Sequence, residues 1–525
     1  MSARTPGTAV VIGGGVAGLA SAALLAADGW SVDLLERGDA LGGRAGSWES
    51  DGFRFDTGPS WYLMPEVFEH FFRMLGTTAA DELDLVTLDP GYRVFFEGHD
   101  DALDVRLRRE DNQALFESVE PGAGAALSAY LDSAHHVYDL AVHQFLYTSF
   151  ESSSTLLSRR VLRNGPRLSG LLTRSLATHV AARFADHRLR QVLGYPAVFL
   201  GTSPDRAPSL YHLMSSLDLD DGVLYPRGGF STLVDAMARL AEQHGARLHT
   251  GSDVTAIRTT RRGRRTTVAG VAYVDADGAD RVLDADVVVG AADLHHVETE
   301  LLPRDLQTFP ESWWDKRDPG PGAVLAYLGV DGALPQLAHH SLFFTRDWEA
   351  NFDDIFGEHR RVPDPASIYV CRPSATDPSV APAGQENLFL LIPVPADPAV
   401  GRGGVDGGGD PAVEKAVDAA LDQVAGWAWV PDLAQRVVVR RSVGPADFAE
   451  DLSSWQGGAL GPGHVLSQSA FFRAGNVSRK VGGLFYAGYA TRPGIGLPMC
   501  LISAELVLKR LRDDHSTGPS AEPHR

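Results

Sequence analysis

Three glycines near the N-terminus have the spacing of a turn that binds a dinucleotide. Gly13, Gly15 and Gly18 follow the apolar residues 9–12 and precede a segment rich in alanine and leucine. This order indicates a strand, a tight turn and a helix, in which the glycines allow the turn, the approach of a pyrophosphate and close packing of the helix. The helix N-terminus offers free N–H groups to phosphate oxygens. The spacing therefore predicts a site for an adenine dinucleotide.

An acidic residue and a second glycine turn narrow the choice of nucleotide. A second predicted strand, 32–35, ends at Glu36, where a carboxylate can accept hydrogen bonds from ribose hydroxyls and would repel the 2′-phosphate of NADP. Arg44 follows the glycines at 42–43, and an arginine there can neutralise the pyrophosphate of an extended flavin nucleotide. The alternative is a simple turn with a surface arginine. Together the two features favour FAD.

A second part of the predicted flavin site lies near the C-terminus. Residues 483–487 have the apolar pattern of a buried strand, and Gly488, Gly494 and Gly496 follow it in a loop that opens a helix ending near residue 511. A helix N-terminus built from glycine and proline can direct bare N–H groups at a flat anionic ring, as in reduced flavin. The alternative is an ordinary connection between a strand and a helix.

Composition and charge exclude several classes of protein. The 525 residues are 44% hydrophobic, which is ample for two domains, and the formal net charge of −20 argues against a nucleic-acid partner. Two cysteines allow no disulfide framework. The histidine pairs 135–136, 295–296 and 339–340 lack partners at ligand spacing, so we expect no metal. The N-terminus lacks the layout of a signal peptide and no transmembrane span is expected, which predicts a cytoplasmic location.

One segment is strongly basic. Residues 158–190 contain eight arginines and a single acidic residue, and the segment Arg159 to Arg190 has apolar residues every four positions from Leu168 to Phe184. This spacing predicts one apolar helix face with basic flanks. The helix would either pack in the core or lie on a membrane surface, drawn to anionic lipid.

Three stretches, 35–60, 225–257 and 466–498, resemble the bacterial-type phytoene desaturase family of the wider flavin amine oxidase-like superfamily. The resemblance covers nearly the whole chain, and its third stretch is the most specific. It implies an α/β protein with a Rossmann-type FAD-binding domain and an inserted mixed α+β substrate domain. The FAD-binding domain would comprise 1–85, 225–300 and 470–512, and the substrate domain 86–224 and 301–469. The tail, 513–525, is expected to be disordered.

The resemblance implies FAD-dependent, stepwise dehydrogenation of a long isoprenoid hydrocarbon, with phytoene to lycopene as the first choice. Peripheral association with the membrane and oxygen or a quinone as electron acceptor are also implied. Another carotenoid enzyme, such as a later-step desaturase, a ketolase or an isomerase, would keep the same motifs. An amine oxidase and a prenyl-binding protein without redox turnover are lesser alternatives.

By the same resemblance, Glu36 would hold the adenosine ribose, the first glycine turn and Arg44 the pyrophosphate, and the Val254 backbone the adenine. One departure is Arg492, where the family has histidine or glutamine. The full set of predicted cofactor residues is Gly13, Gly15, Gly18, Glu36, Arg37, Gly43, Arg44, Pro59, Ser60, Val254, Gly488, Gly496, Leu497 and Met499.

A hydrocarbon substrate has no polar group to bind, so an apolar tunnel must position it by shape. The aromatic candidates for the tunnel wall are Trp61, Tyr62, Phe199, Tyr225, Phe343, Phe344 and Phe471. Flavin accepts hydride, and a base must remove the second hydrogen as a proton. The sequence does not identify this catalytic base, and water and a carboxylate such as Glu66 both stay open.

Overall fold

A computed structural model describes residues 5–149, 163 and 168–523 of the chain. Its strands are β1 (Thr8–Ile12), β2 (Ser31–Leu35), β3 (Ser47–Ser50), β4 (Phe53–Asp56), β5 (Leu85–Thr87), β6 (Tyr92–Phe96), β7 (Leu103–Val105), β8 (Leu224–Pro226), β9 (Arg247–His249), β10 (Asp253–Arg262), β11 (Arg265–Val274), β12 (Asp280–Asp284), β13 (Val287–Gly290), β14 (Pro321–Asp331), β15 (His340–Phe344), β16 (Ile368–Cys371), β17 (Gln385–Pro395), β18 (Val437–Val443), β19 (Val481–Gly482) and β20 (Leu484–Tyr486).

The α-helices lie between and around these strands. They are α1 (Val16–Ala27), α2 (Pro65–Met74), α3 (Ala79–Glu82), α4 (Arg109–Val119), α5 (Ala123–Ala141), α6 (Leu176–Ala181), α7 (His187–Gly194), α8 (Pro196–Phe199), α9 (Met214–Leu219), α10 (Ser231–Gln243), α11 (Leu294–Thr299), α12 (Glu311–Trp314), α13 (Trp348–Phe356), α14 (Pro411–Trp427), α15 (Pro445–Asp451) and α16 (Leu497–Arg512).

A five-stranded parallel sheet has the order β20-β13-β1-β2-β9. Its strands come from the three separated stretches to which the sequence assigned the FAD-binding domain. Apolar residues of α1, α10 and α16 share one core with Val11, Val32 and Val287 of the sheet. The strands are buried on both faces, and their sequences are therefore continuous runs of apolar residues. The α/β, Rossmann-type fold class is confirmed.

The opposite face of the parallel sheet carries a second core and a small antiparallel sheet. Strands β10, β11 and β12 form a meander, and β19 adds to β11 in the parallel sense. Val254 and Ile257 of the meander pack with Val10 and Ile12 of β1. The meander thereby brings the start of β10 to the edge of the first glycine turn.

A seven-stranded mixed sheet has the order β18-β14-β17-β16-β15-β6-β7. Helix α14 covers one face through apolar residues such as Val413, Val417 and Val424. The other face is aromatic and includes Tyr92, Tyr327 and other large side chains that pack with α4 to α7. These strands come from the stretches assigned to the substrate domain.

The structure divides the predicted basic helix face into two parts. Positions 150–162 and 164–167, which include Arg159, lie outside the described residues. A helix at 168–173 ends before Ser175. Ser175 then caps the next helix, α6, by accepting a hydrogen bond from the Thr178 N–H. Leu176 and Phe184 are buried in the core, whereas Leu172 is 37% exposed. The prediction of one continuous helix is therefore wrong, because a capping serine begins a new helix in the middle of the pattern.

Residues 513–523 of the tail pack against α16 instead of being disordered. The buried Lys509 ammonium donates hydrogen bonds to the carbonyls of Ser516 (2.8 Å) and Gly518 (2.7 Å). The Ser520 N–H donates to the Glu505 carboxylate at 2.7 Å. A buried ammonium group needs such acceptors, and the tail supplies them.

Candidate functional site

The two glycine turns meet at the carboxyl end of the parallel sheet. Gly13 has a φ of +100° and donates its N–H to the Leu35 carbonyl at 2.8 Å, which joins the first turn to the end of β2. Gly42 donates to the Gly14 carbonyl at 2.9 Å and forms a bridge with Gly15. A Cβ at Gly43 would lie 3.3 Å from the Gly15 Cα atom. The two turns therefore approach more closely than turns with side chains could.

Gly15 and Gly18 are needed for different reasons. A Cβ on Gly18 would overlap the Gly13 carbonyl oxygen, so this glycine lets α1 pack against the turn. A Cβ on Gly15 would meet no protein atom closer than 3.9 Å, yet Gly15 lies on the wall of the main cavity. The space that a side chain would occupy there is open to the cavity. That bare backbone at a helix N-terminus fits a bound pyrophosphate.

Glu36 stands where the sequence placed it, at the end of β2 and on the cavity wall. Its carboxylate accepts hydrogen bonds from the N–H groups of Gly14 (2.6 Å) and Gly38 (2.7 Å). Each carboxylate oxygen can accept more than one hydrogen bond, so both can also accept from ribose hydroxyls. Arg37 is exposed and donates to the backbone carbonyls of Glu450 and Asp451, which ties the turn after β2 to α15.

Arg44 joins the N-terminal turns to the C-terminal loop. Its guanidinium lies 4.2 Å from the ring centroid of Tyr489 and donates to the Ala459 carbonyl at 2.9 Å and the Ser454 hydroxyl at 2.8 Å. The Tyr489 hydroxyl in turn donates to Asp293, the N-cap of α11. Burial raises the pKa of Tyr489, so its hydroxyl stays protonated. Sequence reasoning found Arg44 but missed Asp293 and Tyr489, although Asp293 is an acid three residues after the end of the buried strand β13, much as Glu36 follows β2.

A buried arginine holds the C-terminal loop in place. Arg473 donates hydrogen bonds to the carbonyls of Thr491 (3.1 Å), Pro462 (3.0 Å) and Tyr489. Burial lowers the pKa of Arg473 to about 10, which still leaves the guanidinium charged at neutral pH. Gly488 has a φ of +120° and donates its N–H to the Ser503 hydroxyl at 3.0 Å. These bonds position the loop over the glycine turns.

Arg492, the departure from the family pattern, points along the cavity. Its guanidinium donates to the carbonyls of Ser149 (2.9 Å) and Phe471 (2.7 Å). Burial lowers the pKa of Arg492 to about 10. The side chain therefore connects the C-terminal loop to the backbone of Ser149 and to that of Phe471, which lines the cavity.

One cavity of about 980 Å³ joins the glycine turns to the mixed sheet and to the surface. Thirteen of the fourteen predicted cofactor residues line it, and Gly18, which packs α1 against the turn, does not. The thirteen are Gly13, Gly15, Glu36, Arg37, Gly43, Arg44, Pro59, Ser60, Val254, Gly488, Gly496, Leu497 and Met499.

The predicted tunnel aromatics divide between the cavity and the core. Trp61, Phe199 and Phe471 line the cavity. Tyr62, Tyr225, Phe343 and Phe344 are buried outside its lining: Tyr62 stacks on Phe68, Tyr225 packs near Leu88, and Phe343 and Phe344 lie in the cores on the two faces of the mixed sheet. Their placement in the tunnel wall is therefore corrected. Consecutive residues of β15 point to opposite faces, which sends Phe343 and Phe344 into different cores.

Much of the apolar wall comes from aliphatic residues that the sequence did not single out. They lie on α5, on the stretch 208–217 and on β14 and β17, and include Leu140, Leu210, Leu213, Met214, Leu217, Leu325 and Leu391. Leucine is abundant in every core, so no sequence signal marks these positions.

A chain of hydroxyl groups leads from the cavity into the mixed sheet. The hydroxyls of Ser60 and Tyr369 are 2.6 Å apart, and Tyr369 is 2.8 Å from Nδ1 of His340. Glu66, considered as a catalytic base, is exposed and lies outside the lining of the cavity. Its carboxylate accepts a hydrogen bond from the hydroxyl of Tyr138, which does line the cavity.

Comparison with known proteins identifies the family to which the chain belongs. The profile of the family described as flavin containing amine oxidoreductase matches residues 16–507. A carotenoid 3,4-desaturase of Haloarcula japonica is 40% identical over 505 residues, which cover 96% of this chain and 98% of that protein. A zeta-carotene-forming phytoene desaturase of Myxococcus xanthus is 35% identical, covering 100% of this chain and 98% of that protein.

Solved structures share the fold at low identity. An oxidoreductase from Methanosarcina mazei superposes with a TM-score of 0.62 at 17% identity, covering 96% of this chain and 100% of the other. Cyclohexylamine oxidase from Brevibacterium oxydans gives 0.58 at 15% identity, covering 97% and 99%. The chain belongs to the flavin-containing amine oxidoreductase family and, within it, to the carotenoid desaturases. It is an oxidoreductase whose cofactor is FAD.

Proposed function

We propose that this protein is an FAD-dependent desaturase of a long, unfunctionalised carotenoid. The observation that carries the proposal is the single cavity that starts at the bare glycine turns and continues between aliphatic side chains to the surface. A hydrocarbon offers no hydrogen-bonding group, so only the shape of such a channel can present one C–C bond to the cofactor. The carotenoid desaturases among the relatives support the same substrate class.

We assign the cofactor to the end of the cavity at the parallel sheet. Gly13, Gly15 and the N-terminus of α1 would hold the pyrophosphate, and Glu36 the adenosine ribose. Val254, at the start of β10, would contact the adenine through its backbone. The loop from Gly488 to Met499 would border the flavin, where Arg473 keeps its backbone in place.

When bound, FAD supplies a hydride acceptor for the dehydrogenation. The chain provides the rest of what the reaction needs. Trp61, Phe199 and Ser60 line the cavity, and aliphatic residues of α5, β14 and β17 would exclude water around the substrate. Turnover also requires an electron acceptor, which we take to be oxygen or a quinone.

The surface end of the cavity is apolar in a way that fits a membrane. Leu172, Leu466, Phe471 and Phe472 line the cavity and are 37%, 44%, 46% and 49% exposed. Large apolar side chains grouped around an opening indicate an interaction surface. Among the described residues, no helix has the length and hydropathy needed to cross a bilayer. We therefore propose peripheral binding, with these four residues, the apolar rim, facing the lipid from which the substrate enters.

Two different desaturation steps are proposed as the reaction of this protein. The resemblance in the glycine turns and the C-terminal loop predicts phytoene to lycopene, whereas the 40% identity to a carotenoid 3,4-desaturase favours a later step on a more unsaturated carotenoid. Expression in one host that makes only phytoene and in another that makes only lycopene separates them. Lycopene formed from phytoene supports the first step. Unchanged phytoene together with a more unsaturated product from lycopene supports the second, and no product in either host, from protein that binds FAD, refutes both.

The membrane proposal has a separate test in liposome flotation. Phe471→Asp with Phe472→Asp should reduce the floated fraction, because two charges on the apolar rim oppose burial in lipid. Val282→Asp is the matched control, since Val282 is 60% exposed on β12, away from the cavity. Equal flotation of both variants and the wild type would show that the rim does not contact the membrane. Replacing Arg163, which is exposed, tests the contribution of the basic segment.

A further inference from the structure

Two histidines and a cysteine meet inside the mixed sheet, behind the cavity wall. Cys371 of β16 stands directly opposite His340 of β15 in the antiparallel pairing, and His339 precedes His340. Directly opposed residues of an antiparallel pair place their side chains on the same face of the sheet. One nitrogen from each histidine and the sulfur of Cys371 lie within 4.8 Å of one another, and all three residues are buried.

The hydrogen bonds around these histidines leave one nitrogen of each ring without a partner. His339 Nδ1 lies 2.8 Å from the Thr376 hydroxyl, and His340 Nδ1 lies 2.8 Å from the Tyr369 hydroxyl. Nε2 of both rings is buried and has no hydrogen-bond partner among the described residues. Buried nitrogen atoms without a partner are costly, so a group that bound them would stabilise the fold.

We propose that His339, His340 and Cys371 bind a zinc-type divalent cation. Imidazole and thiolate are preferred ligands of zinc, and the ligand atoms of a tetrahedral zinc ion lie about 3.6 Å apart. The ligand atoms of His339, His340 and Cys371 all lie within 4.8 Å of one another, so they are close enough to converge on one ion. The two Nδ1 contacts to hydroxyls have the form of the outer hydrogen bonds that orient histidine ligands of metals.

The surroundings supply a fourth donor and part of the compensating charge. The ring of Tyr225 lies 4.6 Å from that of His339, and its buried hydroxyl has no hydrogen-bond partner in the described part of the chain. We assign this hydroxyl to the fourth position. The Arg372 guanidinium and the Asp377 carboxylate both act electrostatically on His339, and the Asp56 carboxyl acts on Cys371. The cation displaces the thiol proton, so sulfur–metal bond formation releases one proton to solvent and leaves a thiolate ligand.

The ion would support the wall of the substrate cavity without touching the substrate. His340 stacks on Trp61 at 4.5 Å between ring centroids and contacts Tyr369, and both of these residues line the cavity. A bound cation would hold the His340 ring, and through it the two aromatic side chains. The site is therefore assigned a structural role, independent of the desaturation that we propose.

Metal analysis of the untagged, full-length protein, expressed with zinc in the medium, tests this site. We expect about one zinc ion per chain in the wild type, at least tenfold less in Cys371→Ser and His340→Gln, and an unchanged content in Cys500→Ser, which replaces the other cysteine. Wild-type protein expressed with cobalt should show the charge-transfer absorption of a cobalt–thiolate bond. This measurement needs no variant, and the same absorption in Cys500→Ser would assign the thiolate to Cys371 even if Cys371→Ser does not fold.

Wild-type protein without stoichiometric metal, whether grown with zinc or with cobalt, would overturn the assignment. A full zinc content in folded Cys371→Ser would also overturn it, because the ion would then lie elsewhere. A chelator should lower the midpoint of thermal unfolding of the wild type and leave that of folded His340→Gln unchanged. Equal shifts in the two proteins would contradict the structural role.

Discussion

Gly15→Ala and Gly18→Ala test two different roles of glycine in the first turn: room for the ligand at Gly15, and close packing of α1 at Gly18. Gly15→Ala adds a methyl group on the cavity wall, with no protein atom closer than 3.9 Å and a backbone φ of −71° that alanine adopts freely. Gly18→Ala adds a methyl group that overlaps the Gly13 carbonyl oxygen. The first variant should therefore disturb the ligand and the second the protein.

The expected magnitudes follow from these contacts. Overpacking against backbone costs about 1–3 kcal/mol, so Gly18→Ala should lower the free energy of unfolding of the apoprotein by an amount in that range. Gly15 is the N-cap of α1 and makes no side-chain bond, so Gly15→Ala should cost less than about 1 kcal/mol. Loss of one hydrogen bond that a backbone N–H donates to the pyrophosphate costs about 1.5–3 kcal/mol, which corresponds to an FAD affinity about 10 to 150 times weaker.

The assay combines chemical denaturation of the apoprotein with titration by FAD, followed through quenching of flavin fluorescence. Denaturation must be measured without FAD, because a ligand that binds only the folded state adds its own stabilisation. If Gly15→Ala binds FAD as tightly as the wild type, the pyrophosphate does not pass over Gly15 and the assignment of the site is wrong. An apoprotein destabilised equally by both substitutions would refute the packing argument for Gly18.

Three further outcomes are expected. Asp218 of α9 is buried and accepts hydrogen bonds from the hydroxyls of Tyr92 and Tyr195. Burial raises the pKa of Asp218 to about 7, so its contribution to stability is present below pH 4 and is lost as the pH rises through 7. Asp218→Asn should flatten this part of the pH profile of unfolding, and parallel profiles for the variant and the wild type would contradict this reasoning. Arg473→Gln removes a charged hydrogen-bond donor from buried carbonyls of the C-terminal loop. The free energy of unfolding in denaturant should fall by about 2–3 kcal/mol, and FAD binding should weaken. An unchanged FAD affinity would mean that the loop keeps its position without Arg473. Truncation after Arg512 exposes the Lys509 ammonium and should lower the midpoint of thermal unfolding, and an unchanged midpoint would show that the tail contributes nothing.

The amino-acid sequence by itself determines the class of fold and the cofactor. Gly13, Gly15, Gly18 and Glu36 are informative because a strand, a turn, a helix and an acid act within thirty residues of one another, so that local spacing sets their geometry. The C-terminal loop near Gly488 is also recognisable, since its glycines and prolines are unusual for a simple connection.

Tertiary structure alone decides which side chains face the substrate and which bury one another. Trp61, Tyr62 and Phe343 are all large aromatic residues, and nothing in the sequence distinguishes them as candidates for the cavity wall. Only the tertiary packing shows that Trp61 lines the cavity and that the other two side chains are buried outside it. His340 and Cys371 are thirty-one residues apart and meet only through the register of β15 and β16. Local spacing carries no information on such pairs, because strand pairing joins positions that are distant in the chain.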